Sequence, residues 1–349
     1  MKVLITGHTG FKGAWLSLML NRRGDQVYGL ALDPEPGSLF EKADLTSIYS
    51  GELRADICDV DSTQNFVTTA KPDAIIHMAA QPLVRESYVN PRKTMETNVM
   101  GTLAVLEAAQ AAPSVKALLV VTTDKVYRNV NQRDGYAEED ALGGQDPYSA
   151  SKSMADILTQ SWVHSFDGPP TAIARAGNVI GGGDVCADRL VPDLMAAFAR
   201  GDKAQLRYPG AVRPWQHVLD CLTGYVALLD ALLENPTKFS GSWNFGPPTE
   251  SFRSVADLAN LAATTWGTGA GWIDTGGDHP HEAELLTLDA SKANQELGWR
   301  DALDFEASVA WTVNWFERVN SGASAMEVTQ NQIEKFEELT QKIVTVAGK

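Results

Sequence analysis

A doubly wound parallel α/β sheet with a smaller C-terminal α/β substrate lobe is predicted by three observations. Short continuous apolar runs, such as Val3-Leu4-Ile5 and Ala117 to Val121, alternate with helical stretches through the first half of the chain. The first run leads into Gly7-His8-Thr9-Gly10-Phe11-Lys12-Gly13, a G-x-x-G-x-x-G spacing that opens a helix. Past Gly246 the alternation stops, and Phe305, Val309, Val313 and Phe316 recur at helical spacing, which reads as core. The expected division is 1–175 plus about 218–245 for the sheet domain, and 176–217 plus 246–349 for the second lobe.

The elements justify this in order. In the glycine loop, Gly7, Gly10 and Gly13 permit a tight turn and close backbone approach to a pyrophosphate. Thr9, Phe11 and Lys12 complete the loop, and the helix from Ala14 to Arg23 offers its free N–H groups to the anion. Gln26 to Leu32 is the second strand. Asp33 stands about twenty residues beyond the glycines, where a carboxylate holds the ribose hydroxyls of NAD and repels a 2′-phosphate. A turn residue before Pro34 is the equal alternative. Asp56-Ile57 follows the third strand as a pair able to bracket adenine, and Asp59 and Asp61 read as turn and N-cap residues. The fourth strand, Ala74 to His77, runs into Met78-Ala79-Ala80-Gln81, whose small residues admit a cofactor. Arg85, Ser87 and Tyr88 precede a long helix that Asn90 caps and Pro91 starts. Asn98 within that helix is either a structural bridge or an active-site support.

The fifth strand delivers Thr122, Thr123, Asp124 and Lys125 at its C-terminal end, where open α/β sheets keep their chemistry. Tyr148-Ser149-Ala150-Ser151-Lys152 then places a phenol and an ammonium on one helix face. The cation is expected to draw the Tyr148 pKa down from about 10 and make it a usable base. A sixth strand, Thr171 to Arg175, leads to Asn178 and a run of glycines. A helix is expected from Asp188 to Arg200, a returning strand at Trp243-Asn244-Phe245, and a terminal packing helix from Val328 to Val344.

Bulk properties narrow the classes. With 29 Lys+Arg against 44 Asp+Glu the formal charge is −15, which argues against nucleic acid as a partner. Cys58, Cys186 and Cys221 lie far apart, make no metal spacing and read as small buried hydrophobes in a reducing, cytoplasmic setting. No metal is expected, no signal peptide is apparent at the N-terminus, and no apolar run reaches membrane-span length.

The stretches TGHTGFKGAWLS, HMAAQPLVRESY, TNVMGT, TTDKVY, GGQDPYSASK, RAGNVIGGGD, DRLVPD, RPWQHV and HPHEAELLTLDASKA resemble the extended short-chain dehydrogenase/reductase family over nearly the whole chain. Within it, Lys125 is similar to the 4,6-dehydratase group acting on CDP-glucose, whereas relatives acting on dTDP-glucose carry Thr-Asp-Glu. The resemblance implies NAD as cofactor and a nucleotide sugar, CDP-glucose favoured, as substrate. It also implies a homodimer through the helices from Pro91 and Tyr148, with Leu106, Leu158 and Trp162 as the apolar patch. Tyr148 with Lys152 would serve oxidation at carbon 4. Lys125 would remove the carbon 5 proton, Asp124 would assist loss of the carbon 6 hydroxyl, and Thr123 would hold the sugar oxygen. An Asp124–Lys125 ion pair is the opposite outcome. Substrate contacts are expected from Gln81, Arg85, Asn178, Arg189, Arg213 and His217. Many relatives carry an Arg where this chain has His281-Glu282-Ala283-Glu284, so Arg213 and Arg189 are the candidates for the diphosphate. A 4-epimerase or reductase of the same fold, and a non-catalytic dinucleotide sensor, are the competing readings.

Overall fold

The computed structural model describes residues 1–132, 134–267, 269–276 and 285–347, with side chains described through 342; the His281–Glu284 motif lies outside the described residues. Six strands appear in chain order: β1 Lys2–Thr6, β2 Gln26–Ala31, β3 Tyr49–Arg54, β4 Ala74–His77, β5 Ala117–Val121 and β6 Thr171–Ala176. With the returning strand Gly241–Phe245 they form one seven-stranded parallel sheet. Its order is returning strand, β6, β5, β4, β1, β2, β3. Strand order reverses between β1 and β4, so the carboxyl ends of these two strands flank the crevice where such sheets bind ligands. All five residues of β5 are buried, as expected for a central strand covered on both faces.

The helix α1, Phe11–Arg23, follows the glycine loop and ends at Gly24 in the left-handed conformation. A Cβ on Gly13 would lie 2.2 Å from the Gly7 carbonyl oxygen, so only glycine lets α1 pack this close to the loop. The long helix expected from Pro91 forms, but in three parts: Pro91–Met95, a π-turn at Glu96–Met100, and Gly101–Ala111. Asn90 makes no side-chain cap there; its amide donates instead to Glu86. Asp146 caps the helix Pro147–Ser165 by accepting from the Ser149 N–H at 2.9 Å, and Pro147 occupies its first turn.

The remaining described strands form three two-stranded sheets: Trp215–His217 with Asn178–Ile180, Arg253–Ser254 with Val212–Arg213, and Trp272–Asp274 with Ala204–Leu206. The helix expected from Asp188 starts at Leu190, because Asp188 is left-handed and Arg189 extended. The terminal helix runs Ala325–Ala347. One hydrophobic core continues from the sheet into the C-terminal helices, and it includes Val309, Val313 and Phe316 as the spacing predicted. Cys221 is buried, but Cys58 and Cys186 are only half-buried, which corrects their reading as interior hydrophobes. Leu106 is also corrected. It faces the interior with the sheet, while the exposed apolar residues of the Pro147–Ser165 helix are Met154, Ile157 and Val163.

Candidate active site

A cleft of about 310 Å³ opens at the carboxyl ends of the central strands. It is lined by Phe11 and Lys12 from the first turn of α1, by Ala80 after β4, by Thr122 to Lys125 after β5, and by Tyr148 and Lys152. Asn178, Arg189 and Arg213 close the opposite side.

The pieces are tied together by hydrogen bonds. Lys152 Nζ donates to the Val121 carbonyl at 2.9 Å, fixing the helix Pro147–Ser165 to the end of β5. The Tyr148 N–H donates to Ser87 Oγ at 3.1 Å. Asn98 resolves as a bridge between the loop after β4 and the helix Pro147–Ser165. Its Oδ1 accepts from the Gln81 N–H at 2.8 Å, and its Nδ2 donates to Ser151 Oγ at 2.8 Å and the Gln81 carbonyl at 3.0 Å. Thr123 Oγ1 donates to Asp124 Oδ1 at 2.9 Å, and the Lys125 ammonium stands 4.0 Å from the same oxygen. The second carboxylate oxygen of Asp124 is buried without a hydrogen-bond partner.

Electrostatics partly reverse the expectation for the tyrosine. Burial pushes Tyr148 up to about 12, outweighing a hydrogen bond with Thr123 and the charge of Arg189, which both favour phenolate. Lys152 moves down to about 7, first through burial and then through the neighbouring charge of Lys12. Lys12 is itself lowered by burial and donates to the Tyr225 hydroxyl at 3.1 Å.

The loop can take a dinucleotide diphosphate. Gly10 precedes α1 with no side chain to cap it, leaving the first N–H groups of the helix without a side-chain acceptor. A Cβ on Gly7 would meet the Ala79 N at 2.8 Å, so Gly7 and Ala79 press two loops together beside that helix start. Thr9 Oγ1 donates to the Leu32 carbonyl at 3.0 Å, and Asp33 stands exposed just past β2.

Other expected residues already have partners within the protein. Asp56 pairs with Lys93 at 2.6 Å, and Ile57 is buried against Gly101. The Gln81 amide is spent on Leu83 and Thr94. His217, expected to touch substrate, does not line the cleft. It caps the helix Val218–Glu234, accepting from the Leu219 N–H, and packs between Trp15 and Trp311 in the core, where burial pushes it down to about 3. Arg189 is paired with Asp184 at 3.0 Å, and Arg85 with Asp188 at 2.6 Å.

Several participants carried no sequence motif. Asp156 accepts from Thr122 Oγ1 at 3.0 Å and from both Arg175 Nε and Nη2 at 2.8 Å. A signal for it existed, since Tyr148, Lys152 and Asp156 follow one another at i, i+4 and i+8. Arg207 and Asp188 also line the cleft, and nothing in the spacing marked them. Among the described residues no His/Cys/Asp/Glu cluster suits a metal, and no helix is long and apolar enough to cross a membrane.

This sheet, glycine loop and Tyr-x-x-x-Lys helix define an extended short-chain dehydrogenase/reductase. The family model for GDP-mannose 4,6 dehydratase matches residues 4–312, and the chain belongs to that family of 4,6-dehydratases, which are hydro-lyases. It is 41% identical over 344 residues to a CDP-glucose 4,6-dehydratase of Salmonella typhimurium, covering 96% of each chain. It is 27% identical over 359 residues to a dTDP-glucose 4,6-dehydratase of Escherichia coli K12, covering 95% of this chain and 99% of the relative. Its fold is that of the UDP-glucose 4-epimerase of Thermotoga maritima, with TM-score 0.80, 20% identity, and 91% and 99% of the two chains covered. It is also that of the dTDP-glucose 4,6-dehydratase of Bacillus anthracis, with TM-score 0.77, 21% identity, and 94% and 99% covered.

Proposed function

We propose that this protein converts CDP-glucose to CDP-4-keto-6-deoxyglucose and water, retaining NAD between turnovers. The observation that carries this is the meeting of Thr123, Asp124 and Lys125 with Tyr148 and Lys152 in one cleft. The name of the Salmonella relative supports the nucleotide. Bound NAD supplies the hydride acceptor for carbon 4 and the hydride donor for carbon 6. The loop from Gly7 to Gly13 and the start of α1 hold its diphosphate, Asp33 its ribose, and Tyr148 and Lys152 lie at its reactive end.

Tyr148, as its phenolate, takes the proton of the carbon 4 hydroxyl, and Lys152 stabilises that phenolate before the transfer. Thr123 hydrogen-bonds the sugar oxygen. Once carbon 4 is a ketone, the carbon 5 proton is acidic; a proton passed from the Lys125 ammonium to the Asp124 carboxylate it pairs with leaves the amine that removes it. The Asp124 carboxyl protonates the carbon 6 hydroxyl as it leaves as water. Asn178, Arg189 and Arg213 hold the nucleotide diphosphate. In the same reading residues 1–175 with about 218–245 carry the cofactor and the rest of the chain carries the nucleotide sugar. The protein works in the cytoplasm as a homodimer, through Met154 and Ile157 on the exposed face of the Tyr148 helix. Sedimentation as a monomer alone at micromolar concentration would overturn the dimer.

The test is turnover on a panel of nucleotide-glucoses, read by the alkaline absorbance of the keto sugar. CDP-glucose should be used best. Lys125→Ala and Asp124→Asn should each cut product formation by about 100- to 10,000-fold while sparing oxidation at carbon 4. Deuterium at carbon 5 should not exchange with water in Lys125→Ala. Near wild-type turnover in that variant, or conversion without a keto product, would move the reading to an epimerase or reductase.

A further inference from the structure

Asp188 spans the mouth of the cleft. Its Oδ1 accepts from Arg85 Nη1 at 2.6 Å and from Arg207 Nη1 at 3.2 Å, and its carbonyl accepts from Arg207 Nη2 at 3.3 Å. The two arginines come from opposite walls. Arg85 lies on the short helix Val84–Val89 that follows β4, and Arg207 directly follows the strand Ala204–Leu206 of a small sheet. All three residues line the cleft. Asp188 is left-handed at φ 63°, a conformation that Asp and Asn adopt more readily than other residues with a Cβ. The next residue, Arg189, pairs with Asp184. One carboxylate therefore joins the two sides of the opening.

The proposed reaction gives such a bridge something to do. The ketone formed at carbon 4 is an intermediate, and its escape before water is lost ends the turnover without product. We propose that Asp188 is a latch: the Arg85–Asp188–Arg207 bridge closes the cleft over the nucleotide sugar and retains the 4-keto intermediate until carbon 6 has lost its hydroxyl. Asp188 is a positioning residue, acting through the two arginines. The inference rests on the dehydratase reading for its purpose, but the bridge's effect on ligand escape is measurable without catalysis.

Asp188→Asn is the sharp variant, because Asn keeps the left-handed backbone and removes only the charge. Two partly exposed pairs sharing one carboxylate are worth a modest sum, so nucleoside diphosphate should dissociate about 3- to 10-fold faster in this variant. The measurement is stopped-flow release of CDP, or of UDP or dTDP if one of these binds instead. In the product pool, mass spectrometry should detect a keto sugar one oxygen atom heavier than the normal product, with the hydride taken from carbon 4 left on the enzyme as NADH. Asp188→Glu should restore part of the retention, Arg207→Met should match Asp188→Asn, and high salt should weaken the wild type. Unchanged dissociation with no escaped ketone would reduce the bridge to a surface ion pair. Slower dissociation in Asp188→Asn would show that the carboxylate competes with the ligand for the arginines, which also overturns the latch. A wild type that binds nucleotide but makes no keto sugar would remove the dehydratase reading, leaving dissociation to decide the latch.

Discussion

The two walls of the cleft hold their polar groups by different means. On the sheet side, Lys152 is anchored to a β5 carbonyl, and Asp156 ties Thr122 to Arg175 beneath it, with Arg175 and Asp156 both about 1% exposed or less. On the other side, Asp184 with Arg189 and Asp188 with Arg207 hold one another on irregular backbone, and Asp188 is 39% exposed. Acid–base groups must be placed to a fraction of an ångström, and regular, buried backbone does that. Groups that admit and grip a long ligand must yield, and partly solvated ion pairs do that.

The largest effect that tests this contrast is chemical. Tyr148→Phe should lower formation of the keto product by about 100- to 10,000-fold, read from initial rates, with little change in thermal stability. A tenfold loss or less would remove Tyr148 as the base.

Next comes stability on the sheet side. Asp156→Ala leaves the Arg175 guanidinium buried without its carboxylate, which should cost about 3–5 kcal/mol by urea denaturation. A cost below about 1 kcal/mol would mean that the sheet-side network does not hold its wall more firmly than surface pairs do.

A smaller effect is read against pH. Lys152 lies near 7 in the folded protein against an ordinary value of 10.5, so the unfolded chain binds more protons between those values. Its contribution to stability therefore rises as pH increases from about 7 towards 10.5. Lys152→Met should flatten that rise, seen as a smaller difference between denaturation midpoints at pH 7.5 and 9.5. Tyr148, raised to about 12, acts only above pH 10 and leaves this window clear. The smallest effect is the control: Arg200→Ala, which breaks a pair with Asp202 exposed on both sides, should change stability by about 0–1 kcal/mol.

What the sequence made legible follows the same division. The glycine loop, the central strands, the returning strand and the Tyr148–Lys152 face all rest on local rules of period and turn chemistry, and the structure has them where spacing put them. Leu106 was misjudged because an apolar residue on an amphipathic helix reads the same whether it faces a partner or the sheet beneath. His217 was misjudged because a capping role depends on which neighbours bury it, here Trp15 from the first helix and Trp311 from near the end of the chain. Asp188 and Arg207 were illegible because their pairing depends on how separate loops meet around the opening. Burial of Tyr148 likewise reversed a shift that the sequence reading had assigned to the nearby lysine alone.

Gly182, just past the short strand Asn178–Ile180, is held between two tryptophans. Its carbonyl accepts from Trp15 Nε1 at 2.9 Å, and a Cβ at this position would lie 2.0 Å from the Trp315 ring, whose own Nε1 donates to Thr329 at 2.8 Å. The sheet's last strand ends at Phe245, well before Trp315 is made. During synthesis on a ribosome the sheet can therefore pair while the stretch from Asn178 to Asp184 still lacks one of its two clamps. Competence to grip a ligand is reached only as the final helices emerge, so a chain truncated just before Trp315 should have a near-complete strand inventory and an unfinished cleft.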